Sequence, residues 1–189
     1  MKILLKLLFT STMVLGFSNF NSQALASTVS LTEETNNSVV IHDDEIIVTP
    51  IYMFSSELSF KMPNVKDSYF APRGTGRPSF SNYKTLGIGA KQTFGGSSAV
   101  SALYSEQNTR GLNSATIEIT NKKNNAMTAQ LYKQEKTSSG EIKHTAVATF
   151  NSPKNSTMGW SVSNLNSNTN YYMKFNAPSD FVGFILRDK

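Results

Sequence analysis

A two-residue hydrophobic period runs through the second half of the chain and restricts its fold more than any other feature. Ala115, Ile117 and Ile119 alternate with Thr116, Glu118 and Thr120, which gives an extended segment one apolar and one polar face. Asn121-Lys122-Lys123-Asn124-Asn125 is a turn signal leading into Met127 to Lys133, so these two strands are expected to form a hairpin. Thr137-Ser138-Ser139-Gly140 marks the next turn. Ile142, His144, Ala146, Ala148 and Phe150 then share one face of a strand whose other face carries Lys143, Thr145 and Thr149. Met158, Trp160 and Val162 follow, then Tyr171, Met173 and Phe175, and finally Phe181 to Leu186. Turn signals recur at roughly the 8 to 12 residue spacing of an antiparallel sandwich or barrel. No convincing helical period is present.

The first 26 residues read as a secretory signal peptide. Lys2 and Lys6 make a basic start, Leu7 to Phe17 an apolar stretch, and Ala24-Leu25-Ala26 the small residues of a cleavage site before Ser27. A membrane anchor needs ~20 uninterrupted apolar residues. Thr10, Ser11 and Thr12 interrupt the stretch, and Phe181 to Lys189 is too short for a span. The mature form is therefore expected to be secreted, with no membrane span. Removing 26 of 189 residues leaves 163, enough for one core without staples. With no cysteine the domain must hold by burial alone, which favours a bacterial exported protein.

Charge is unevenly placed. Residues 27–49 carry Glu33, Glu34, Asp43, Asp44 and Glu45 and no basic residue, whereas 50–189 carries 16 basic and 8 acidic residues. Residues 27–44 are too polar to offset the cost of ordering their backbone and read as an acidic disordered leader. A single domain is expected over 45–189. Pro50 puts its first strand at a sheet edge or a bend.

Within that domain, 63–98 is irregular. Pro63, Pro72 and Pro78, with Gly74, Gly76, Gly87, Gly89, Gly95 and Gly96, interrupt any continuous element, and a long segment of this kind is more often functional than structural. Arg73-Gly74-Thr75-Gly76-Arg77-Pro78 places two guanidinium forks beside glycines that expose backbone amides, a chemistry suited to anions. Tyr69, Phe70, Phe80 and Tyr83 lie beside it as stacking surfaces, and Lys84 and Lys91 add positive charge. The candidate ligand-binding residues are thus Tyr69, Phe70, Arg73, Arg77, Tyr83, Lys84 and Lys91.

At Asn164 to Tyr171 the chain resembles the fibronectin type III corner, whose pattern is Leu-x-Pro-x-Thr-x-Tyr. Leu165, Thr169 and Tyr171 match, and Ser167 stands at the proline position. Trp160 directly precedes this corner, whereas the family places its tryptophan on an early strand. The resemblance implies that the Tyr171 hydroxyl bonds back to nearby backbone and locks two sheets together. The adjacent Tyr172 is expected to point outward. The fold class is therefore an all-β antiparallel β-sandwich, immunoglobulin/fibronectin-III-like or jelly-roll-like, behind a cleaved signal peptide and a short leader.

Catalytic and metal chemistry find little support. His42-Asp43-Asp44 are contiguous, while zinc draws ligands from separated positions. His144 shares its strand face with Ile142, Ala146 and Ala148 and reads as a semi-buried core histidine. Gly95-Gly96-Ser97-Ser98-Ala99 only partly echoes a nucleophile elbow. Gly87 to Thr93 lacks the residue order and the following helix of a phosphate loop. No cofactor, metal or catalytic residue is expected, and no nucleic acid partner. The function expected is non-catalytic binding at or outside the cell surface, to an anionic cell-wall polymer, a glycan or a surface protein. A bacteriocin-like or toxin-like antagonist is the alternative.

Overall fold

The structure is a computed structural model that describes residues 39–55 and 74–189. Twelve strands follow one another: β1 Val39–Ile41, β2 Ile47–Ser55, β3 Tyr83–Thr85, β4 Lys91–Ser98, β5 Leu103–Tyr104, β6 Asn108–Arg110, β7 Ser114–Asn121, β8 Met127–Lys136, β9 Ile142–Ser152, β10 Ser156–Ser163, β11 Asn170–Phe175 and β12 Ser179–Arg187. Among the described residues there is no helix. A seven-stranded sheet has the order β1-β9-β8-β11-β6-β3, with β5 also on β11, and a five-stranded sheet has the order β2-β10-β7-β12-β4. Every pairing is antiparallel except β3 with β6.

The apolar phase of the alternating strands supplies one core. Ile117 and Ile119 of β7, Met158, Trp160 and Val162 of β10, and Phe181 and Ile185 of β12 are buried from the five-stranded sheet. Leu131 of β8, Phe150 of β9 and Tyr171, Met173 and Phe175 of β11 are buried from the other. Rings meet between the sheets: Phe150 lies 4.9 Å from Trp160, Phe94 lies 5.2 Å from Phe175, and Phe175 stacks on Phe181 at 3.7 Å. Trp160 is on the inner face, as its strand's period predicted.

The pairs nest. β8 pairs with β9, β7 with β10, β6 and β5 with β11, and β4 with β12, so each pair encloses the one before it in sequence. This arrangement corrects the expected β7–β8 hairpin, because those strands belong to different sheets. The 122–126 segment is a crossing, not a hairpin turn. Asn121 holds it there: its buried side-chain amide donates to the carbonyls of Asn125 (2.8 Å), Ser152 (3.2 Å) and Pro153 (2.9 Å), and its Oδ1 accepts from the Lys123 N–H. One amide thus ties together the β7–β8 and β9–β10 crossings.

Three further expectations need correction. Val39–Ile41 pairs with β9, so strand structure starts ahead of Glu45; residues 27–38 and the signal segment lie outside the described residues. Asp43 makes a 2.9 Å ion pair with Lys133 there. Gly95 to Ser98 is strand β4 paired with β12, so that part of 63–98 is regular and presents no serine on a strained turn. The register of β9 against β8 slips between Leu131 and Tyr132, leaving Val147 as the extra residue. Such a bulge reverses which face a strand's alternate residues occupy. Ala148 and Phe150 therefore point into the core, and His144 and Ala146 point outward.

Pro50 sits on edge strand β2 at a second register shift, consistent with its missing N–H.

Candidate functional site

Three side chains that belong to the polar phase of their strands are rings. Tyr132 stands between Gln130 and Gln134 on the outer face of β8, and Tyr172 stands between Asn170 and Lys174 on that of β11. His144 reaches the same face because of the bulge. Tyr132 and Tyr172 are cross-strand partners and stack with centroids 5.2 Å apart and planes 12° apart. Tyr104 of β5 leans on Tyr172 at 6.2 Å, and His144 meets it edge-on at 5.8 Å. The Tyr172 hydroxyl and His144 Nδ1 are hydrogen-bonded at 3.2 Å.

Tyr172 is buried although it points away from the core, with 0% of its surface exposed. The ring does point outward, as expected, but the neighbouring rings cover it. Burial pushes its hydroxyl far above the ordinary phenol range. His144 is pushed below the ordinary imidazole range, first by burial and then by the positive field of Arg77. It is not a core histidine but a half-buried one on an outer face.

Beside this ring cluster, three buried amides hold down the segment 78–82. Gln134 Nε2 donates to the Pro78 carbonyl at 2.8 Å, Asn170 Nδ2 to Phe80 at 2.8 Å, and Asn108 Nδ2 to Ser79 at 2.8 Å and Asn82 at 3.1 Å. All three are at most 1% exposed. They come from adjacent strands β8, β11 and β6, so the segment is strapped across the sheet. Arg77 precedes the strap, and Tyr83 and Lys84 follow it on β3.

Of the seven residues proposed from sequence, the structure brings two onto this face. Arg77 is exposed at the head of the strap and acts electrostatically on His144 and Tyr172. Tyr83 is exposed, with the Arg110 guanidinium 4.9 Å over its ring. Arg110 itself is spent on the Asn168 carbonyl through Nε and Nη2. Lys84 is exposed on the edge strand β3. Lys91 is elsewhere: it lies on β4 in the five-stranded sheet, 5.7 Å over the Phe184 ring. Tyr69, Phe70 and Arg73 lie outside the described residues. The residues missed were Tyr104, Tyr132, His144 and Tyr172. For Tyr132 and Tyr172 a signal existed, an aromatic ring on the polar phase of a strand.

His42 and Asp43 each bond a neighbouring side chain. His42 Nε2 bonds the Thr149 hydroxyl at 2.8 Å, and Asp43 holds Lys133. Comparison with family models, with curated proteins and with solved structures found no match for this chain.

Proposed function

We propose that this protein is a secreted, non-catalytic binding protein, a jelly-roll sandwich whose contact face is the outer surface of the seven-stranded sheet, and that its ligand is a glycan or cell-wall polymer bearing negative charge. Nested antiparallel pairs folded over into two facing sheets are the connectivity of a jelly roll, an architecture that lectin domains use. In the immunoglobulin arrangement the last two strands neighbour each other in one sheet. Here β11 and β12 belong to different sheets, which favours the jelly roll over the fibronectin relative.

The observation that carries the binding reading is the stacked Tyr132–Tyr172 pair, flanked by Tyr104 and His144 with Arg77 alongside. Aromatic bodies with polar rims provide flat apolar area and hydrogen bonds at low entropic cost, which suits a sugar ring. The buried ring of Tyr172 acts as the floor, and the partly exposed rings of Tyr104 and Tyr132 supply the contact area.

Retention of residues 27–189 on purified bacterial cell-wall polysaccharide is the direct test. Binding is expected at low salt and is expected to weaken toward physiological ionic strength, where the screening length is ~8 Å. Tyr132→Ala and Tyr104→Ala should each abolish retention without unfolding the protein. No retention of the parent at low salt, or full retention by both variants, overturns the reading.

A further inference from the structure

We propose that Arg77 and His144 form an anion subsite on this face, which takes the sulfate, phosphate or carboxylate group of a glycan and tightens when His144 is protonated. The inference rests on the reading of this face as a glycan platform.

On the β9-β8-β11 part of this face the charge is one-sided. By register, the outward residues of β8 are Thr128, Gln130, Tyr132, Gln134 and Lys136; those of β11 are Asn170, Tyr172 and Lys174; and those of β9 are Ile142, His144, Ala146, Thr149 and Asn151. None is a carboxylate. Lys136, Lys174 and Arg77 are its basic residues, with Arg110 of β6 held over Tyr83 and on the Asn168 carbonyl, and the acidic neighbour Glu135 is aligned with Lys143 on the other side of the sheet.

His144 is placed to join them. Its Nδ1 is engaged by the Tyr172 hydroxyl, so Nε2 is the ring nitrogen with no partner among the described residues. The groups facing it are Tyr132 and Gln134 from β8, Tyr172 and Asn170 from β11, Arg77 from the segment before β3, and Ile142 and Ala146 on its own strand, with Lys136 at the hairpin end. Among these residues no negative group compensates a protonated imidazole. A bound anion supplies that compensation, and linkage then requires that protonation strengthen anion binding by the factor by which the anion favours protonation. One unit of upward movement in the His144 titration corresponds to about tenfold in affinity. Arg77 is the second cation of the subsite.

The strap makes this geometry repeatable. Gln134, Asn170 and Asn108 fix residues 78–82 from below, so Arg77 leaves a tethered backbone at Pro78 beside the rings.

The experiment is binding of residues 27–189 to immobilised dextran sulfate and to uncharged dextran, at pH 5 and pH 8 and constant ionic strength. Dextran sulfate is expected to bind about tenfold tighter at pH 5. His144→Gln should bind equally at both values, His42→Gln should keep the full ratio, and Arg77→Gln should weaken binding at both. A His144→Gln protein that keeps the ratio overturns the proposal, as does equal binding of charged and uncharged dextran. That second result would leave the glycan platform standing, whereas no binding of either polymer would remove the platform too. A measurement without substitution is the His144 ring titration followed by proton NMR with and without a dextran sulfate oligomer. Its midpoint must rise with the ligand, and an unmoved midpoint overturns the proposal.

Discussion

Tyr171 and Tyr172 are adjacent and serve opposite faces of one strand. The Tyr171 hydroxyl accepts the Asn166 N–H at 2.9 Å, the corner bond that the resemblance implied, and its ring is in the core. Tyr171→Phe leaves that N–H without its acceptor and should cost about 1–3 kcal/mol in urea unfolding. Tyr172→Phe should also destabilise, by about 0.5–1.5 kcal/mol, because its hydroxyl is bonded to His144 in a buried place. The sequence placed Tyr172 on the correct face but not at the correct depth. Alternation reports which side a residue is on, and the rings that bury Tyr172 come from β5, β8 and β9, far along the chain. Gly111 is a second single-residue constraint. Its φ is +87°, and a Cβ there would meet the Leu86 carbonyl at 2.9 Å and Thr85 Cγ2 at 3.1 Å. Gly111→Ala should therefore lose more than the ~1–2 kcal/mol of a left-handed alanine, read as a lowered melting temperature.

At the scale of elements, the β8–β9 hairpin was legible because Thr137 to Gly140 closes it locally: Gly140 takes φ +87° and its N–H bonds the Thr137 carbonyl. The β7–β8 crossing has an equally turn-like sequence, and what distinguishes it is the reach of Asn121 to Ser152 and Pro153, which no local window contains. The bulge at Val147 was hidden for the same reason, since it is defined only against β8. Docking of β1 depends in part on Asp43 and Lys133. The hydrogen bond to Lys133 lowers the Asp43 titration below 3.8, and the bond to Asp43 raises that of Lys133 above 10.5. The carboxylate's contribution is thus present above 3.8 and lost as pH falls through its lowered value, and the lysine's is present below 10.5 and lost as pH rises through its raised one. Asp43→Asn should cost about 0.2–1 kcal/mol at pH 7, with the difference from the parent vanishing in strong acid. Thermal melts at pH 2 and pH 7 check this.

For the whole molecule, period and turn spacing were enough to predict two packed β layers with Trp160 inside, while the order of strands was not legible. Nothing in β4 or β12 alone shows that they pair. The candidate face was only half legible, because its basic part is contiguous around Arg77 and its rings are gathered from four strands. The two parts also oppose each other in acid. Burial disfavours the charged form of His144, so the unfolded chain takes up that proton more readily, and stability should fall as pH drops below about 6.5 toward the lowered folded value. His144→Gln should flatten that limb of the stability curve.

The nesting of pairs also orders events in time. β8 and β9 meet across a five-residue turn, whereas β4 waits for β12, which enters between β4 and β7, and β11 likewise enters between β8 and β6. Contacts distant in sequence form slowly, and here the two strands that complete the sheets, β11 and β12, come after the other ten described strands in chain order. A growing chain consequently lacks a complete seven-stranded layer until Phe175 has emerged and a complete five-stranded layer until Arg187 has, and a chain ending at Ala177, with β4 cut off from β7 and one core face uncovered, should be digested by protease far faster than the full chain.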